Sequence, residues 1–305
     1  MDVTVGICTW NRAKLLDATL AQMCNLRIPS GISWELLVVD NNCTDDTPAV
    51  VERYAGRLPI RRLVEKQQGT SYAKNCVLRN AAADLLLWTD DDVLVDEDWF
   101  AAYVRAAERW PNAGYFGGLI KPWFEHDPPS WFQANENALA PAMALRDLGP
   151  EERQLGADEP PFGANMAFRR AAFSSRDYDT KLGPHGNDQI RGEETTYCRA
   201  LAADGFQGVW VPSAKVRHYV VAHRLTLRFV REYWVGLGRT QVRVENGTAA
   251  GATPRWVYRA VVMSHLRYAW QRAIRHPGWL GSLMEASRVR GVLMEHRNSR
   301  KASEA

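Results

Sequence analysis

The stretch that most constrains the fold is a run of four apolar residues, 85–88, which is followed closely by three consecutive aspartates. A short apolar run of this kind is typical of a buried strand in a parallel sheet. Open α/β sheets bind ligands at the carboxyl ends of their strands. The carboxylates of Asp90, Asp91 and Asp92 repel one another, and Mg²⁺ or Mn²⁺ among them would relieve that repulsion, because both ions prefer oxygen ligands. The triplet alone equally allows a solvated acidic turn whose aspartates cap a helix.

Strand-like and helix-like patterns alternate around this stretch. The largely apolar segments 3–8 and 34–39 and a third short strand-like segment at 60–65 each precede a helical pattern, the third of which spans 71–82. This alternation predicts an α/β fold with a parallel sheet and right-handed crossovers. From residue 234 onward the pattern is helical, with arginines on one side and apolar residues on the other.

Polar residues follow each of the first four predicted strands. They are Thr9, Asn11 and Arg12 after the first strand, Asp40 after the second, Glu65 and Gln68 after the third, and Asp90 to Asp92 after the fourth. Because the carboxyl ends of parallel strands meet at one edge, we expect a ligand site there. A buried Asp40 could accept a hydrogen bond from a nucleobase or a ribose hydroxyl, and Arg12 and Lys74 could meet phosphate oxygens. Taken alone, Asp40 also fits a helix cap or a turn.

Several classes of protein find no support in the sequence. It contains no G-x-G-x-x-G or G-x-x-x-x-G-K-[ST] motif, so neither a dinucleotide site nor a P-loop is indicated. The five cysteines form no C-x-x-C pair, which fits reduced thiols better than disulfides or a zinc site. No signal peptide is visible, and no apolar run approaches the roughly 20 residues of a membrane span. We therefore expect a cytoplasmic protein.

Positive charge is concentrated in the last third of the chain. Residues 214–305 contain 17 Lys or Arg and 5 Asp or Glu, although the net charge of the chain is only +3. Arginines with interfacial aromatics such as Trp256 and Trp270 fit a helix on the inner face of an anionic membrane. They also fit a helix that packs its aromatics on the preceding domain, with its arginines solvated or bound to phosphates. Arg224 is a candidate for a diphosphate contact. No nucleic-acid recognition motif accompanies the charge, so we expect no nucleic-acid partner.

Six short motifs, in this order, resemble those of the family two glycosyltransferases of GT-A fold. They are Thr9-Trp10-Asn11-Arg12, the segment from Val38 to Thr47, Gly69-Thr70-Ser71-Tyr72-Ala73-Lys74-Asn75, Thr89-Asp90-Asp91-Asp92, the segment from Gly163 to Arg170, and Gly192-Glu193-Glu194-Thr195. Each motif is weak alone, but six in the expected order and spacing are specific. The resemblance covers about residues 1–245.

The resemblance implies a fold and a domain division. The expected fold is a Rossmann-like mixed, mainly parallel sheet flanked by helices, with a C-terminal helical extension. Residues 1–220 would form the catalytic domain, with a nucleotide-binding half at 1–120 and an acceptor half at 121–220. Residues 221–305 would form a basic, aromatic-rich helical region.

The resemblance also implies an activity. It indicates an inverting transfer, dependent on Mg²⁺ or Mn²⁺, from a nucleoside-diphosphate sugar, with a UDP-sugar favoured. The acceptor would be a hydroxyl, which a lipid-linked substrate could provide, in the synthesis of a glycan, a glycolipid or a glycosylated natural product.

Individual residues take their expected roles from this resemblance. The expected nucleotide-sugar contacts are Thr9, Asn11, Arg12, Asp40, Gln68, Gly69, Lys74, Asp90, Asp91, Asn165 and Arg224. Asp92 is the first expected metal ligand, with Asp90 and with His218. His218 follows a predicted strand at 208–211, and taken alone it equally fits a surface or packing histidine. The base is expected at Glu194 or Glu193, where the family usually carries a Glu-Asp pair.

The chemistry is consistent with this interpretation. A leaving nucleoside diphosphate needs a cation to neutralise it, and an acceptor hydroxyl needs a carboxylate to take its proton. The simpler interpretation of Glu193 and Glu194 is a helix cap. A sugar-nucleotide transferase is a second hypothesis, but it would usually show a glycine- and lysine-rich loop after the first strand. A non-catalytic nucleotide- or carbohydrate-binding module of the same fold is a third.

Overall fold

A computed structural model describes residues 1–156, 158–184, 190–246 and 253–304. Within these residues, nine strands form one mixed sheet. The strands are β1 (Val3–Thr9), β2 (Trp34–Asp40), β3 (Ile60–Val64), β4 (Leu85–Trp88), β5 (Val93–Val95), β6 (Ala113–Phe124), β7 (Arg153–Gln154), β8 (Met166–Arg169) and β9 (Gln207–Val220). Their order is β3-β2-β1-β4-β8-β6-β9-β5, and β7 pairs with β9.

Four neighbouring strands, β3, β2, β1 and β4, run parallel to one another. The apolar run 85–88 forms β4, and all four of its residues are buried. Thr9 pairs with Asp40, and Gly6 pairs with Trp88, so the carboxyl ends of β1, β2 and β4 lie at one edge. The pairs β4–β8, β6–β8 and β5–β9 are antiparallel. The predicted mixed sheet flanked by helices is therefore confirmed.

The described residues also form α-helices, numbered here in chain order. They are α1 (Ala13–Met23), α2 (Thr47–Tyr54), α3 (Thr70–Asn80), α4 (Trp99–Arg109), α5 (Ser130–Gln133), α6 (Glu136–Leu139), α7 (Arg170–Phe173), α8 (Glu193–Ala203), α9 (Leu227–Asn246), α10 (Arg255–Ala273) and α11 (Trp279–Glu304). Helix α3 packs against β1 and β2, and α4 packs against β4 and β9.

Strand β9 is longer than the sequence pattern predicts. The apolar run at 208–211 predicts a short strand, whereas β9 continues through Pro212 to Val220. Beyond Pro212 its residues largely alternate between buried and exposed, as expected for a strand with one covered face. The extension pairs with β5 and places His218 opposite Val93, immediately after the aspartates.

The chain divides into two compact units. The sheet unit comprises Met1–Trp123, Met143–Gly186 and Glu193–Val220. The helical unit comprises Phe124–Ala142, Asn187–Gly192 and Val221–Ala305, and in it α11 packs against both α9 and α10. Among the described residues, no helix has the length and apolar character required to traverse a bilayer. The predicted division at 1–220 and 221–305 into functional domains stays a prediction.

Candidate active site

Three side chains at the carboxyl edge of the sheet could hold a divalent cation. Asp90 and Asp92 lie between β4 and β5, and His218 lies on β9 opposite Val93. One ligand atom of each lies within 4.8 Å of the others, and His218 Nε2 is 3.4 Å from Asp92 Oδ1. Ligands bonded to Mg²⁺ at about 2.1 Å lie at most about 4.2 Å apart, so this set approaches the spacing of an assembled site. Two carboxylates and an imidazole also suit Mn²⁺.

Burial makes the uncompensated negative charge of this cluster unfavourable. The pKa of Asp90 is raised to about 8, chiefly by burial and further by the negative charges of Asp92 and Glu194. Burial also raises the pKa of Asp91 to about 6, although the charge of Arg12 opposes that rise. A raised carboxyl pKa means that the ionised form lacks compensating positive charge. A bound cation would supply that charge and would displace protons as it bound.

Arg12 supplies positive charge from another side of the cluster. It is the N-cap residue of α1, and its Nη1 donates to Asp91 Oδ1 and to Asp92 Oδ2, both at 3.0 Å. The preceding Asn11 has a left-handed backbone with φ of 51°, and its Oδ1 accepts the N–H of Thr44 at 2.7 Å. The loop after β1 is therefore tied both to the aspartates and to the loop after β2. The donor contacts of Arg12 and Asn11 stay predictions.

Asp40 ends β2 and shapes the turn that follows. It is 4% exposed, and its Oδ1 accepts the N–H of Cys43 at 2.8 Å. Its Oδ2 accepts a hydrogen bond from Arg62 Nη1 at 2.8 Å. An ionised carboxylate has about four acceptor positions, so Asp40 can still receive a further donor. The nucleobase contact of Asp40 and the donor contact of the neighbouring buried Thr9 stay predictions.

Asn41 is a positioning residue that the sequence pattern does not reveal. Its Nδ2 donates to the carbonyls of Glu65 and Gln67 at 3.0 and 2.7 Å, and its Oδ1 accepts the N–H of Gly69 at 2.9 Å. Gln68 Nε2 is 3.4 Å from the same oxygen. Asn41 thus fixes the loop that holds Gln68 and Gly69, whose donor contacts stay predictions. Its partners belong to another loop, so no local pattern identifies it.

Two adjacent glutamates at the start of α8 approach a buried lysine. Lys74 on α3 is 3% exposed, and its Nζ donates to Glu194 Oε1 and lies 3.7 Å from Glu193 Oε1. Burial opposes the charge of Lys74, but the carboxylates of Glu194, Glu193 and Asp90 outweigh it and raise its pKa. The lysine nitrogen also lies 5.4 Å from the ring centroid of Tyr178. Lys74 therefore compensates carboxylates here, and its contact with donor phosphates stays a prediction.

A backbone group fixes the orientation of Glu194. Its Oε2 accepts the N–H of Gly163 at 2.7 Å. A Cβ atom at position 163 would overlap this carboxyl group, so the missing side chain of Gly163 permits the approach. The Glu194 side chain is 22% exposed, compared with 9% for Glu193. Glu194 is thus held by two donors and is still the more accessible of the pair.

Asn165 is fully buried, and its hydrogen-bonding groups are used within the sheet unit. Its Oδ1 accepts Trp99 Nε1–H and the hydroxyl of Tyr103, both at 2.7 Å. Its Nδ2 donates to the carbonyls of Leu119 and Ala214 at 3.0 and 2.7 Å. The observed role of Asn165 is to join α4 to β6 and β9. Its contact with a donor sugar stays a prediction.

Arg224 belongs to the helical unit. It lies in a 3-10 helix at Ala222–Leu225, and its guanidinium carbon is 5.8 Å from the ring centroid of Phe229. Its contact with a diphosphate stays a prediction.

Solved structures with the same fold include a mannosyltransferase in complex with GDP-Man and the protein TarS in complex with UDP-GlcNAc. The mannosyltransferase PcManGT from Pyrobaculum calidifontis, in complex with GDP-Man and Mn²⁺, superposes with a TM-score of 0.66 at 19% identity, over 96% of this chain and 86% of that chain. S. aureus TarS 1-349 in complex with UDP-GlcNAc superposes with a TM-score of 0.53 at 13% identity, over 100% of this chain and 92% of that chain. These likenesses confirm the GT-A fold.

Sequence comparison identifies the family. A profile described as Glycosyl transferase family 2 matches residues 4–174, more than half of the chain. The succinoglycan biosynthesis protein ExoM of Rhizobium meliloti (strain 1021) is 24% identical over 261 residues, 84% of this chain and 79% of that protein. The N-acetylglucosaminyl-diphospho-decaprenol L-rhamnosyltransferase of Mycobacterium tuberculosis (strain CDC 1551 / Oshkosh) is 30% identical over 216 residues, 60% of this chain and 66% of that protein. The chain therefore belongs to glycosyl transferase family 2 and is a glycosyltransferase of GT-A fold.

Proposed function

We propose that this glycosyltransferase requires a divalent cation, inverts the anomeric centre, and moves a sugar from a nucleoside diphosphate to an acceptor hydroxyl. The observation that carries the proposal is the approach of Asp90, Asp92 and His218 at the carboxyl edge of the sheet. These residues would hold Mg²⁺ or Mn²⁺. When bound, the cation would act as a Lewis acid that neutralises the leaving diphosphate.

The remaining residues at this edge would bind the donor. Arg12 and Lys74 carry the positive charge nearest to the aspartates and glutamates, so they are the proposed phosphate contacts. The proposed contacts to the rest of the nucleotide sugar are Thr9, Asn11, Asp40, Gln68, Gly69, Asp90, Asp91 and Asn165, with Arg224 as a further phosphate contact.

Glu194 is the proposed general base. Donors from Gly163 and Lys74 fix its carboxylate, and each of its oxygens keeps acceptor capacity for an acceptor hydroxyl. Its deprotonation of that hydroxyl would permit attack on the face of the sugar opposite to the diphosphate, without a covalent sugar–enzyme intermediate. Glu193 is more buried, and its proposed role is to help keep Lys74 protonated.

The relatives favour a glycan or lipid-linked acceptor. One is named for succinoglycan biosynthesis, and another for rhamnosyl transfer to an N-acetylglucosaminyl-diphospho-decaprenol. We propose residues 1–220 as the catalytic domain and 221–305 as a basic extension. The donor base is left open between uracil and other bases, because neighbours of this fold were solved with GDP-Man and with UDP-GlcNAc.

The test of the donor site is thermal unfolding with a panel of nucleoside diphosphates, with and without Mn²⁺. A ligand at 100 times its Kd stabilises the folded state by about 2.7 kcal/mol. We expect one nucleotide to raise Tm only with Mn²⁺, and Asp92→Asn to lose the shift. The matched control is Asp158→Asn, which removes a carboxylate that is 99% exposed. This variant should keep the Mn²⁺-dependent rise in Tm. A full shift in Asp92→Asn, or no shift with any nucleotide, would contradict the proposal.

The test of the base uses turnover. Glu194→Gln should abolish sugar transfer and keep the Mn²⁺-dependent Tm shift, and NMR of the wild-type product should show an inverted anomeric centre. If Glu193→Gln loses turnover while Glu194→Gln keeps it, the base is Glu193. If the nucleotide raises the Tm of the wild type but no acceptor tried gives turnover, the result would favour a binding module over an enzyme of this mechanism.

A further inference from the structure

Most bulky apolar side chains of helix α10 are exposed and do not pack inside the helical unit. Its buried positions include Val257, which packs with Val242 and Val292, and the polar Gln271, which accepts a hydrogen bond from Ser282 Oγ at 2.6 Å. Its most exposed apolar residues are Trp256 (59%), Val262 (57%), Met263 (56%), Leu266 (60%) and Trp270 (61%). A helix on the surface of a globular protein normally has the opposite arrangement.

The exposed apolar residues form one stripe. Trp256, Met263, Leu266 and Trp270 follow one another at intervals of seven, three and four residues, which places them on one face of an α-helix. Ile274, directly after the helix, is 51% exposed and continues the stripe. A contiguous apolar surface with two tryptophans marks an interaction site more often than a solvated face.

The charge of this segment has one sign. No Asp or Glu occurs between Glu245 and Glu285, whereas five arginines do: Arg255, Arg259, Arg267, Arg272 and Arg275. Arg272 lies 4.7 Å from the ring centroid of Trp279. Within the part of the chain that the structure describes, the exposed Arg259 and Arg267 have no ion pair with a carboxylate. The stripe therefore lies beside two arginines, Arg259 and Arg267, that pair with no carboxylate of the described residues.

We propose that the exposed face of α10 docks on an anionic lipid surface and lies in the plane of the headgroups. Tryptophan and apolar side chains would enter the boundary between headgroups and acyl chains, and the arginines would reach lipid phosphates. A second copy is the less favourable occupant, because a symmetric contact through this face would bring Arg259 and Arg267 of both copies together. The inference rests on the helical unit alone and is independent of the donor site.

The experiment is vesicle flotation of the full chain with phosphatidylcholine vesicles, with and without phosphatidylglycerol. We expect binding to the anionic vesicles and weaker binding at high salt. Each arginine near such a surface contributes about fivefold to the partition coefficient, so Arg259→Gln/Arg267→Gln should lower it about thirtyfold. Leu266→Ser/Trp270→Ser should lower it at least about tenfold, because both side chains leave the apolar boundary.

Matched controls come from the sheet unit. Val64 is 52% exposed, and Arg57 and Arg105 are exposed arginines, so Val64→Ser and Arg57→Gln/Arg105→Gln should bind as the wild type does. All changed α10 side chains are exposed, so circular dichroism should show an unchanged fold.

Three outcomes would overturn the proposal. The first is a wild-type chain that does not bind anionic vesicles. The second is a control variant that loses as much binding as the α10 variants. The third is a concentration-dependent dimer in sedimentation velocity that Leu266→Ser/Trp270→Ser abolishes, without vesicle binding. That result would assign the stripe to a second copy of the chain.

Discussion

Replacing Gly163 by alanine would place a methyl group where the carboxyl group of Glu194 lies. The three atoms nearest to a Cβ built at this position all belong to Glu194. The carboxyl group would have to withdraw by at least about 1 Å to reach ordinary van der Waals contact. The carboxyl group of Glu194 would move because it ends a flexible, partly exposed side chain, whereas Gly163 begins a buried stretch of backbone.

The expected effect on folding is much smaller than the effect on catalysis. The variant loses one hydrogen bond to a charged group, worth about 1.5–3 kcal/mol at most, and water can replace part of it at a partly exposed carboxylate. Alanine also lowers the conformational entropy of the unfolded chain, which raises the free energy of unfolding by about 0.4–1 kcal/mol. A displacement of about 1 Å at a catalytic group, by contrast, costs about 10²-fold in rate.

The assay is steady-state transfer kinetics together with donor-induced thermal stabilisation. We expect Gly163→Ala to lower kcat about 100-fold and to keep the Mn²⁺- and nucleotide-dependent rise in Tm. Gly56→Ala is the matched control, because no atom lies within 4 Å of a Cβ at that position. In Gly163→Ala/Glu194→Asp the shorter side chain relieves the overlap, so the double variant should be more active than Gly163→Ala alone. If Gly163→Ala turns over as fast as Gly56→Ala, the position of Glu194 does not matter and its assignment as base is wrong.

Three further predictions follow from the site and its surroundings. His218→Gln should weaken Mn²⁺ binding in the presence of nucleotide by at least about tenfold in calorimetric titration, and an unchanged affinity would exclude it as a ligand. Asn165→Leu leaves four buried partners unsatisfied, so urea unfolding should show a loss of about 3 kcal/mol or more, and a loss below about 1 kcal/mol would contradict its structural role. Hydrogen bonds from Arg153 and Gly156 lower the pKa of Glu159 from 4.5 to about 2, so its contribution to stability is present above pH 4.5 and is lost as pH falls through 2. Glu159→Gln should therefore lower Tm slightly at pH 6 and not at pH 2, and an equal decrease at both would contradict this.

The parallel half of the sheet was predictable because its signals are local. The run Leu85–Trp88 forms β4 entirely, and the strand-like segments before it form β1, β2 and β3. Strand ends in a parallel sheet share an edge, so Thr9 and Asp40 could be expected together before their pairing was observed. The order of the motifs indicated the family for the same reason, since each motif is a short continuous segment.

The remaining features depend on partners that are distant in the sequence. His218 reaches Asp92 because β9 continues past Pro212 and pairs with β5, which the interrupted apolar pattern does not indicate. Gly163 matters through a contact with Glu194, 31 positions later in the chain. Lys74 was expected to meet phosphates, but the pattern could not show that two glutamates would lie beside it.

The charges of the site would couple the proposed cation to the proposed donor. Five carboxylates and two cationic side chains come together here: Asp90, Asp91, Asp92, Glu193, Glu194, Arg12 and Lys74. The carboxylates outnumber the cations, so a nucleoside diphosphate alone would enter a repulsive field, whereas a divalent cation would be attracted before it. Because coupling between two ligands is reciprocal, the factor by which Mn²⁺ tightens nucleotide binding must equal the factor by which the nucleotide tightens Mn²⁺ binding. We expect both factors in calorimetric titrations to exceed about tenfold and to agree, and nucleotide binding that is indifferent to Mn²⁺ would show that these carboxylates do not face the donor phosphates.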